Sequence, residues 1–445
     1  MLSSFFNAFF GHLDLFDDLI WTYIAVPVIL IFGIYFSCKA NWFQVTHFKK
    51  ITKLFFSFLT PKKSKSKRGI PPLNAFFASI GGCIGIGNIV GVCTAVQIGG
   101  PGAIFWMWIA ALLGMIVKYG EIYLGVKYRV DAPDNGYSGG PMYYLKKVDS
   151  SGWLSTLFCL AMCIYGVEIY MFRIVTHSIV TGWGWNPYVV IIGLLAAILF
   201  SGKHGIATVG KVSSVLIPIF LVAFIGVCGW VFATNFEALL QGFGTIFKSA
   251  FTGHAAVGAF AGSTMMMTIS NGMKRACYTG DIGIGYASII HAESAEATPE
   301  RQAALGIFGI FLDTFVVCTC TVLLILITGL WNQGIHEDFV LATALGKYIP
   351  YMSLVWPFFV FLLGFSSLIA FFAVGKKAAQ FLWPRYGQKG YTIYAICSFL
   401  LFSFVGTEAH IMTVMSIVGA ILLLINMYGI LRLRNHIAFT LKKTK

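Results

Sequence analysis

The sequence predicts an all-α, polytopic membrane protein, and three features of the 445-residue chain support this prediction. Hydrophobic residues make up 58% of the chain and charged residues only 11%, whereas soluble domains typically contain about 25% charged residues. Apolar stretches recur along the chain, and many reach the length of roughly 20 residues that a helix needs to cross the hydrocarbon core. The basic residues lie mostly between these stretches, in alternate loops.

Eleven candidate transmembrane spans account for the apolar stretches. They lie near residues 20–37, 73–97, 102–126, 153–180, 187–200, 212–233, 255–290, 303–330, 353–375, 391–405 and 411–431. The fifth and tenth spans are short, and the seventh is predicted to be interrupted.

The basic residues predict how the spans are oriented. Of the 31 Lys and Arg residues, 25 lie in one set of alternating loops. That set comprises residues 38–72, 127–152, 201–211, 291–302, 376–390 and 432–445. Positively charged loops remain in the cytoplasm. We therefore expect a multi-pass cell-membrane protein whose N-terminus lies outside and whose C-terminus is cytoplasmic.

The net charge of +14 does not indicate a nucleic-acid partner. The densest basic run, Lys62–Arg68, joins the first two spans, where it is suited to contact anionic lipid headgroups. The nine histidines show no H-E-x-x-H spacing, which disfavours a metal-dependent membrane enzyme. We expect membrane lipid as a partner, no nucleic acid and no enzymatic activity.

The stretch Ala78–Thr94 in the second span contains five glycines and one amide side chain, Asn88. Each glycine weakens a helix by roughly 1 kcal/mol relative to alanine, so the pattern favours a helix that is broken at membrane depth. Freed peptide groups are tolerated there when they line a cavity, and they then bind ions or carboxylates. The hypothesis assigns the amides of Ile86 and Gly87 to a substrate carboxylate, and the alternative is close helix packing through small residues.

A second interruption is predicted around Thr268–Arg275, because Ser, Asn and Gly favour turns and two adjacent cations are costly in a bilayer. Gly-Ile-Gly occurs in both glycine-rich spans, at Gly85–Gly87 and at Gly283–Gly285. Matching interrupted spans in two halves are typical of secondary transporters. We therefore expect two inverted five-helix repeats preceded by one extra helix. The corresponding segments are 1–72 (first span and basic loop), 73–235 and 250–432 (the repeats) and 433–445 (basic tail).

Ionisable side chains inside the spans are candidates for function. Gating or coupling is assigned to Glu168, Arg173, Asp281 and Asp313. Lys118 and Glu121, three residues apart on one helix, are interpreted as an ion pair.

Two adjacent hydroxyls in the ninth span, Ser366 and Ser367, have two interpretations. They either bond back to carbonyl oxygens four residues earlier or supply oxygens to a hard cation.

Three stretches resemble the alanine or glycine:cation symporters, also called sodium:alanine symporters. They are G-I-G-N-I-V-G-V-C-T-A and G-G-P-G-A-I-F-W-M-W within Gly85–Trp108, K-Y-G-E and G-G-P-M-Y-Y within Lys118–Tyr144, and the run from Ala250 to Thr319. The resemblance covers nearly the whole chain. It implies a leucine-transporter-type fold and sodium-coupled uptake of a small neutral amino acid, such as alanine or glycine, by alternating access. Sodium would be co-transported, with no organic cofactor.

The resemblance also implies site residues. The sodium ligands would be backbone oxygens of Gly81 and Ile84 and the hydroxyls of Ser366 and Ser367. The residues around the substrate would be Gly85, Ile86, Gly87, Asn88, Phe260, Ser263, Thr264, Ser367 and Phe371.

Several positions near this expected pocket depart from the family pattern. Ile86 stands where the family usually has threonine, and Phe371 where it usually has tryptophan. Thr279–Gly283 replaces S-N-E-A-G, and Arg173–Ile179 lacks a glutamine that usually precedes an Asn-Ser pair. These changes bear on the substrate more than on the fold.

Two alternatives remain alongside sodium symport. One is a transporter of a different amino acid or related small solute, coupled to protons through Glu168 or Asp313 with Arg173 as counter-charge. The other is an amino-acid sensor that binds its ligand without moving it.

Overall fold

The computed structural model of the protein describes residues 2–59, 68–132, 136–203, 205–252, 265–405 and 407–441. The helices of the first half are α1 (Leu2–Ile20), α2 (Val26–Lys39), α3 (Phe43–Thr46), α4 (Phe48–Leu59), α5 (Pro72–Cys83), α6 (Val92–Gly99), α7 (Ala103–Lys127), α8 (Pro141–Tyr144), α9 (Trp153–Tyr165), α10 (Ile169–Trp183), α11 (Pro187–Gly202) and α12 (Ile206–Thr234). Those of the second half are α13 (Phe236–Thr252), α14 (Met265–Thr279), α15 (Tyr286–Ala292), α16 (Pro299–Ile310), α17 (Thr319–Ile327), α18 (Glu337–Gly346), α19 (Met352–Leu382), α20 (Gly387–Phe404) and α21 (Glu408–Arg432).

Other regular elements are short. Wide π-helical turns occupy Trp21–Ala25, Gly87–Gly91 and Phe311–Cys318, and tighter 3-10 turns occupy Leu145–Lys147 and Arg434–His436. Strands β1 (Val130–Asp131) and β2 (Tyr137–Ser138) form an antiparallel ribbon of two residues each between α7 and α8. The sequence did not predict this ribbon, and it is too small to change the fold class.

Seven helical segments within the described residues are long and apolar enough to cross a membrane. They are Phe9–Lys39, Ala103–Lys127, Trp153–Trp183, Ile206–Thr234, Pro299–Ile327, Met352–Leu382 and Glu408–Arg432. Pro72–Cys83 and Gly87–Gly99 form an eighth span when taken together across their 47° bend. The prediction of a polytopic helical membrane protein is therefore confirmed. Helices α11 and α20 coincide with the two spans that were predicted to be short.

The first break confirms the predicted interruption of the second span. Helix α5 ends at Cys83, Ile84 leaves helical geometry with φ −74° and ψ 89°, and a π-helical turn begins at Gly87. The glycines also permit close packing, because a Cβ on Gly82 would lie 2.0 Å from the hydroxyl oxygen of Tyr286. The glycine-rich pattern therefore serves both the break and the approach of a neighbouring helix.

The second break lies at residues 280–285, between α14 and α15, so the predicted position around Thr268–Arg275 is wrong. Asp281, Gly283 and Gly285 have positive φ values of 49°, 75° and 95°. Glycine adopts this left-handed region readily, whereas other residues adopt it rarely. The glycines of the second Gly-Ile-Gly tripeptide thus form the turn itself.

The Ser-Asn-Gly run that suggested the earlier position is part of the continuous helix α14. A Cβ on Gly272 would lie 2.3 Å from the carbonyl oxygen of Ala103, so this glycine lets α14 touch α7. The adjacent cations are also accommodated. Lys274 pairs with Asp17 of α1, and the guanidinium of Arg275 lies against Gly91.

A third break, which no sequence pattern indicated, divides the fourth predicted span between α9 and α10. Glu168 has a positive φ of 47° there, and its side chain is buried. A Cβ on Gly166 would lie 2.7 Å from the Tyr391 hydroxyl oxygen and 3.0 Å from the Cα of Gly375. The left-handed turn at Glu168, beside the crowded Gly166, leaves a carboxyl group buried inside the bundle.

Continuous helices enclose these breaks. Helix α7 packs against α14, α15 and α16, and α19 packs against α5, α10 and α12. Helix α5 also packs along α12. The first and second breaks are therefore held in the interior of the bundle, between α7 on one side and α12 with α19 on the other.

Replacement of Gly272 by alanine is expected to destabilise the protein, because the new Cβ would press on the backbone of α7. Overpacking of this kind costs about 1–3 kcal/mol. The thermal unfolding temperature of the purified protein in detergent measures the effect. Gly226→Ala on α12 is the matched control, since its Cβ would meet nothing within 4 Å. Equal unfolding temperatures for the two variants would contradict the packing role of Gly272.

Candidate functional site

Hydroxyl and carbonyl oxygens of three helices meet beside the first break. The Ser367 hydroxyl donates to the carbonyl oxygen of Gly81 at 2.8 Å, and the hydroxyl oxygens of Ser366 and Ser213 are 2.9 Å apart. A Cβ on Gly81 would lie 2.3 Å from Ser366 Oγ and 2.8 Å from Ser213 Oγ. These four buried residues, which we call the oxygen cluster, connect α5 with α12 and α19.

The oxygen cluster has the chemistry of a site for a small hard cation, because such ions prefer oxygen ligands. It lies at the C-terminal end of α5, where the last carbonyls have no intrahelical donor and carry partial negative charge. Ile84 follows that end outside helical geometry. Ser367 also donates to the Leu363 carbonyl oxygen at 3.2 Å, so the bond to the residue four positions earlier is present alongside the contact with Gly81.

The Asn88 side chain stabilises the C-terminal side of the first break. Its side-chain oxygen accepts from the Gly85 amide at 3.0 Å, and its amide nitrogen donates to Asp313 Oδ1 at 2.6 Å. Asp313 lies in the wide turn between α16 and α17, where its other oxygen accepts from the Thr314 hydroxyl at 2.9 Å. Asp313 therefore has hydrogen-bond donors on both oxygens and holds the broken helix against the eighth predicted span.

Lys118 joins the first break to the second. Its ammonium group donates to the Gly280 carbonyl oxygen at 2.6 Å and to Cys83 Sγ at 3.2 Å. It also lies 4.0 Å from Asp281 Oδ2. The predicted pairing with Glu121 is therefore wrong. The reason is that the ammonium group is already bound by the Gly280 carbonyl oxygen at the C-terminal end of α14, by the Cys83 thiol and by Asp281.

Glu121 is instead tied to the last span. Its Oε2 accepts from the Asn426 side-chain amide at 3.0 Å, and the same amide donates to the Gly283 carbonyl oxygen at 2.8 Å. Tyr144 donates its hydroxyl to Asn426. These hydrogen bonds fix the second break at Gly283 against α21.

The residues predicted to surround the substrate are partly brought together. A Cβ on Gly87 would lie 3.1 Å from the Thr279 methyl group, and one on Gly85 would lie 2.6 Å from Ser367 Oγ. Phe371 stacks on Tyr286, with ring centroids 4.2 Å apart. The first break, the end of α14 and the middle of α19 therefore face one another. Ile86 is buried in the same region, where its side chain reaches α19.

Three of the predicted substrate residues cannot be placed. Phe260, Ser263 and Thr264 lie outside the described residues.

The four gating or coupling candidates do not lie together in one site. Asp281 and Asp313 belong to the networks of Lys118 and Asn88, and Glu168 is buried in the third break. Arg173 lies farther out, where its Nε is 3.8 Å from Glu408 Oε1. Its guanidinium is thus engaged with α21, and its role as a counter-charge to Glu168 or Asp313 stays a prediction.

A cavity of about 380 Å³ lies on one side of these residues. Its wall is made largely of charged and aromatic side chains, including Lys274, Arg275, Tyr278, Glu337 and Glu408. Thr94 in the first turn of α6 donates to Glu337 at 3.0 Å, which closes one edge of the wall. The cavity reaches Tyr278 near the end of α14.

Ser213 and Lys118 are the functional candidates whose roles the sequence did not reveal. A single serine in the apolar helix α12 carries no local sign of its neighbours, and its position depends on how α12 packs against α5. Lys118 was noticed as a membrane-embedded charge, but its partners are 35 and 162 residues away. Only the packed structure identifies them.

A profile of the sodium:alanine symporter family matches residues 7–444. The chain belongs to the sodium:alanine symporter family. The resemblance stated from the sequence is thereby confirmed, and so is the expectation of a transporter rather than an enzyme. Membership also accounts for the polytopic helical architecture.

Individual proteins agree with this assignment. The sodium/alanine symporter AgcS of Methanococcus maripaludis is 31% identical over 415 residues, which cover 90% of this chain and 89% of the relative. The probable sodium/glutamine symporter GlnT of Bacillus subtilis is 29% identical over 374 residues, covering 82% and 76% of the two chains. The crystal structure of MhsT in complex with L-phenylalanine matches with a TM-score of 0.57 and 15% identity, over 82% of this chain and 89% of MhsT. That likeness shows a shared fold.

Replacement of Ser367 by alanine is expected to weaken sodium binding at least tenfold, because it removes one oxygen of the cluster. Hydrogen bonds and ligand contacts to charged species are worth about 1.5–3 kcal/mol. The sodium concentration that gives half-maximal uptake in proteoliposomes measures the effect. Ser214→Ala is the control, since among the residues the structure describes that hydroxyl bonds back to Lys211 on its own helix. An unchanged sodium requirement in Ser367→Ala would contradict the proposed ligand.

Replacement of Gly87 by valine is expected to abolish uptake while leaving a folded protein. A Cβ there would already be 3.1 Å from Thr279, so a branched side chain would fill the space between the two breaks. Initial uptake rates and size-exclusion profiles of the purified variant test this. Transport at the wild-type rate would show that Gly87 serves only helix packing.

Proposed function

We propose that the protein is a sodium-coupled symporter that takes up a small neutral amino acid by alternating access. The observation that supports this most is the oxygen cluster beside the first break, formed by Gly81, Ser213, Ser366 and Ser367. It offers a cation only neutral oxygens and lies within a chain of the sodium:alanine symporter family. Ile84 is included as a further backbone ligand.

In this proposal, sodium joins α5, which belongs to a broken helix, to the continuous helices α12 and α19. Binding at such a junction favours whichever conformation keeps the three helices together, and so shifts the balance between outward-open and inward-open states. The membrane potential adds to the driving force, since one charge that crosses 100 mV gains about 2.3 kcal/mol.

The substrate is proposed to lie between the two breaks. Its carboxylate would meet the amides at Ile86 and Gly87, where a helix begins again and its first N–H groups have no intrahelical acceptor. Phe371 would face the substrate from α19. The remaining proposed contacts are Gly85, Asn88, Ser367 and, in the segment before α14, Phe260, Ser263 and Thr264. The family name and the relative AgcS make alanine and glycine the first substrates to test.

The proposal also covers the number and orientation of the spans. Eleven spans would comprise one extra helix and two inverted repeats, in residues 73–235 and 250–432. Loops rich in Lys and Arg would face the cytoplasm, together with the C-terminus.

Proton coupling is a second candidate, favoured by Glu168. Its carboxyl group is buried, and within the described residues its Oε2 has no hydrogen-bond partner. A carboxyl group in that position could exchange a proton during the cycle.

Uptake of alanine and glycine into proteoliposomes, with sodium replaced by choline at fixed pH, tests the proposal. We expect uptake to be lost without sodium, because the oxygen cluster would then have no cation to join its helices. Undiminished uptake in choline would contradict sodium coupling and favour protons. Sodium-dependent binding without any uptake would identify a sensor instead.

A further inference from the structure

The cavity of about 380 Å³ beside the central residues is lined by charges of both signs. We call it the outer cavity, and the Asp, Glu, Lys and Arg side chains that line it are Asp17, Lys274, Arg275, Glu337 and Glu408. Lys274 pairs with Asp17. Glu408 is engaged from outside the lining, because its Oε1 lies 3.8 Å from Arg173 Nε. These contacts leave one cation and one carboxylate of the lining to be accounted for.

Arg275 is the cation that remains. Its guanidinium forms no ion pair with a described residue, and its Nη1 has no hydrogen-bond partner there. Two contacts hold it in place. It occupies the space that a side chain at Gly91 would fill, and it lies 5.8 Å from the centroid of the Tyr278 ring. Gly91 ends the wide turn after the first break, so Arg275 contacts both the outer cavity and that turn.

Glu337, in the first turn of α18, is the carboxylate that remains. Its Oε2 accepts a hydrogen bond from the neutral hydroxyl of Thr94 at 3.0 Å, and within the described residues no Lys or Arg pairs with it. Arg275 lines the same cavity, but the two side chains are farther apart than the 4.0 Å of an ion pair. The outer cavity therefore presents one unpaired positive and one unpaired negative group to the same space.

An amino-acid zwitterion carries the charges that complement this pair. A planar guanidinium binds a carboxylate through two parallel hydrogen bonds, and an ammonium group donates to a carboxylate. A simple anion would suit Arg275 but would be repelled by Glu337, and a simple cation would meet the reverse situation. The volume is also adequate, since small-molecule sites usually measure about 300–1,000 Å³. The lining thus favours a ligand with both charges.

We propose that the outer cavity is a second binding site for an amino-acid zwitterion, whose carboxylate binds Arg275 and whose ammonium group binds Glu337. In the proposed orientation, α18 and the start of α21 lie on the outer side, so this site receives the substrate before the space between the breaks does. The inference rests on the proposed function and adds a site to it. Binding here does not require sodium, because no residue of the oxygen cluster lines the cavity.

The variant Gly87→Val isolates the outer site, because its side chain fills the space between the breaks and does not line the outer cavity. Equilibrium dialysis with radiolabelled alanine measures how many molecules each purified chain binds at saturation. We expect one alanine per chain in this variant, in sodium and in choline alike. The wild-type protein is expected to bind two in sodium and one in choline. A Gly87→Val protein that is folded but binds no alanine, while the wild-type protein binds it, overturns the inference.

Replacement of Arg275 by glutamine removes the group that binds the carboxylate. In the Gly87→Val background we expect it to weaken alanine binding at least tenfold. Lys248→Gln in the same background is the matched control, because Lys248 is an exposed cation of α13 that does not line the cavity. Equal alanine affinities with and without Arg275 overturn the assignment. If Gly87→Val does not fold, the same comparison is made in choline with the single variants, where the outer site is the one expected to bind.

Propionate, which lacks the ammonium group of alanine, tests the role of Glu337. Competition against radiolabelled alanine is expected to show that propionate binds the outer site at least tenfold more weakly than alanine. Glu337→Gln is expected to remove most of that difference. Propionate or chloride that competes as well as alanine would identify a simple anion site and overturn the inference. Variants of Arg275 and Glu337 that change uptake without changing alanine binding would identify a gate in which the two side chains pair directly, which also overturns it.

The outcome for the proposed function is separate. Sodium-dependent uptake of alanine or glycine by the wild-type protein supports symport, whatever the Gly87→Val variant binds. Absence of both uptake and binding of these amino acids, with and without sodium, would overturn the proposed function and this inference together.

Discussion

Peptide groups that leave a helix inside a membrane must find partners in the protein, and the structure depends on how this is achieved. An unsatisfied backbone group in hydrocarbon costs several kcal/mol. Side chains meet this need at both central breaks, two of them from distant helices and one, Asn88, from within the first break. Ser367 donates to Gly81 before the first break, Asn88 binds the Gly85 amide within it, and Lys118 caps the second break at Gly280. The breaks are therefore tertiary features that hold only while the surrounding helices stay in place.

Lys118 illustrates how a costly group becomes a structural link. A buried ammonium ion is tolerated only when it is paired and hydrogen-bonded. Here it lies between the C-terminal ends of α5 and α14 and opposite Asp281. The Gly280 carbonyl oxygen at the end of α14, the Cys83 sulfur and the Asp281 carboxylate offset its desolvation. The consequence is mechanical, because the two broken helices share one partner and a displacement of either disturbs the other.

The first break could be predicted from the sequence because its cause is local. Five glycines and Asn88 within seventeen residues disfavour a continuous helix in any context. The second break could not be positioned in this way. Ser270, Asn271 and Gly272 have turn composition, yet Gly272 serves the contact with Ala103. Glu168 was recognised as a membrane-embedded charge, but its left-handed turn beside the crowded Gly166 has no local sequence signal. Ser213 was missed because its contacts with Ser366 and Gly81 depend on how three helices pack.

The central claim is that peptide groups at both breaks lie ready for ion and solute. Hydrogen–deuterium exchange of the purified protein, with and without sodium, tests it most directly. We predict faster exchange in peptides that cover residues 84–87 and 280–285 than in those from α7 at similar depth. We also predict that sodium protects residues 84–87. Exchange at both breaks as slow as in α7, and unaffected by sodium, would contradict the account.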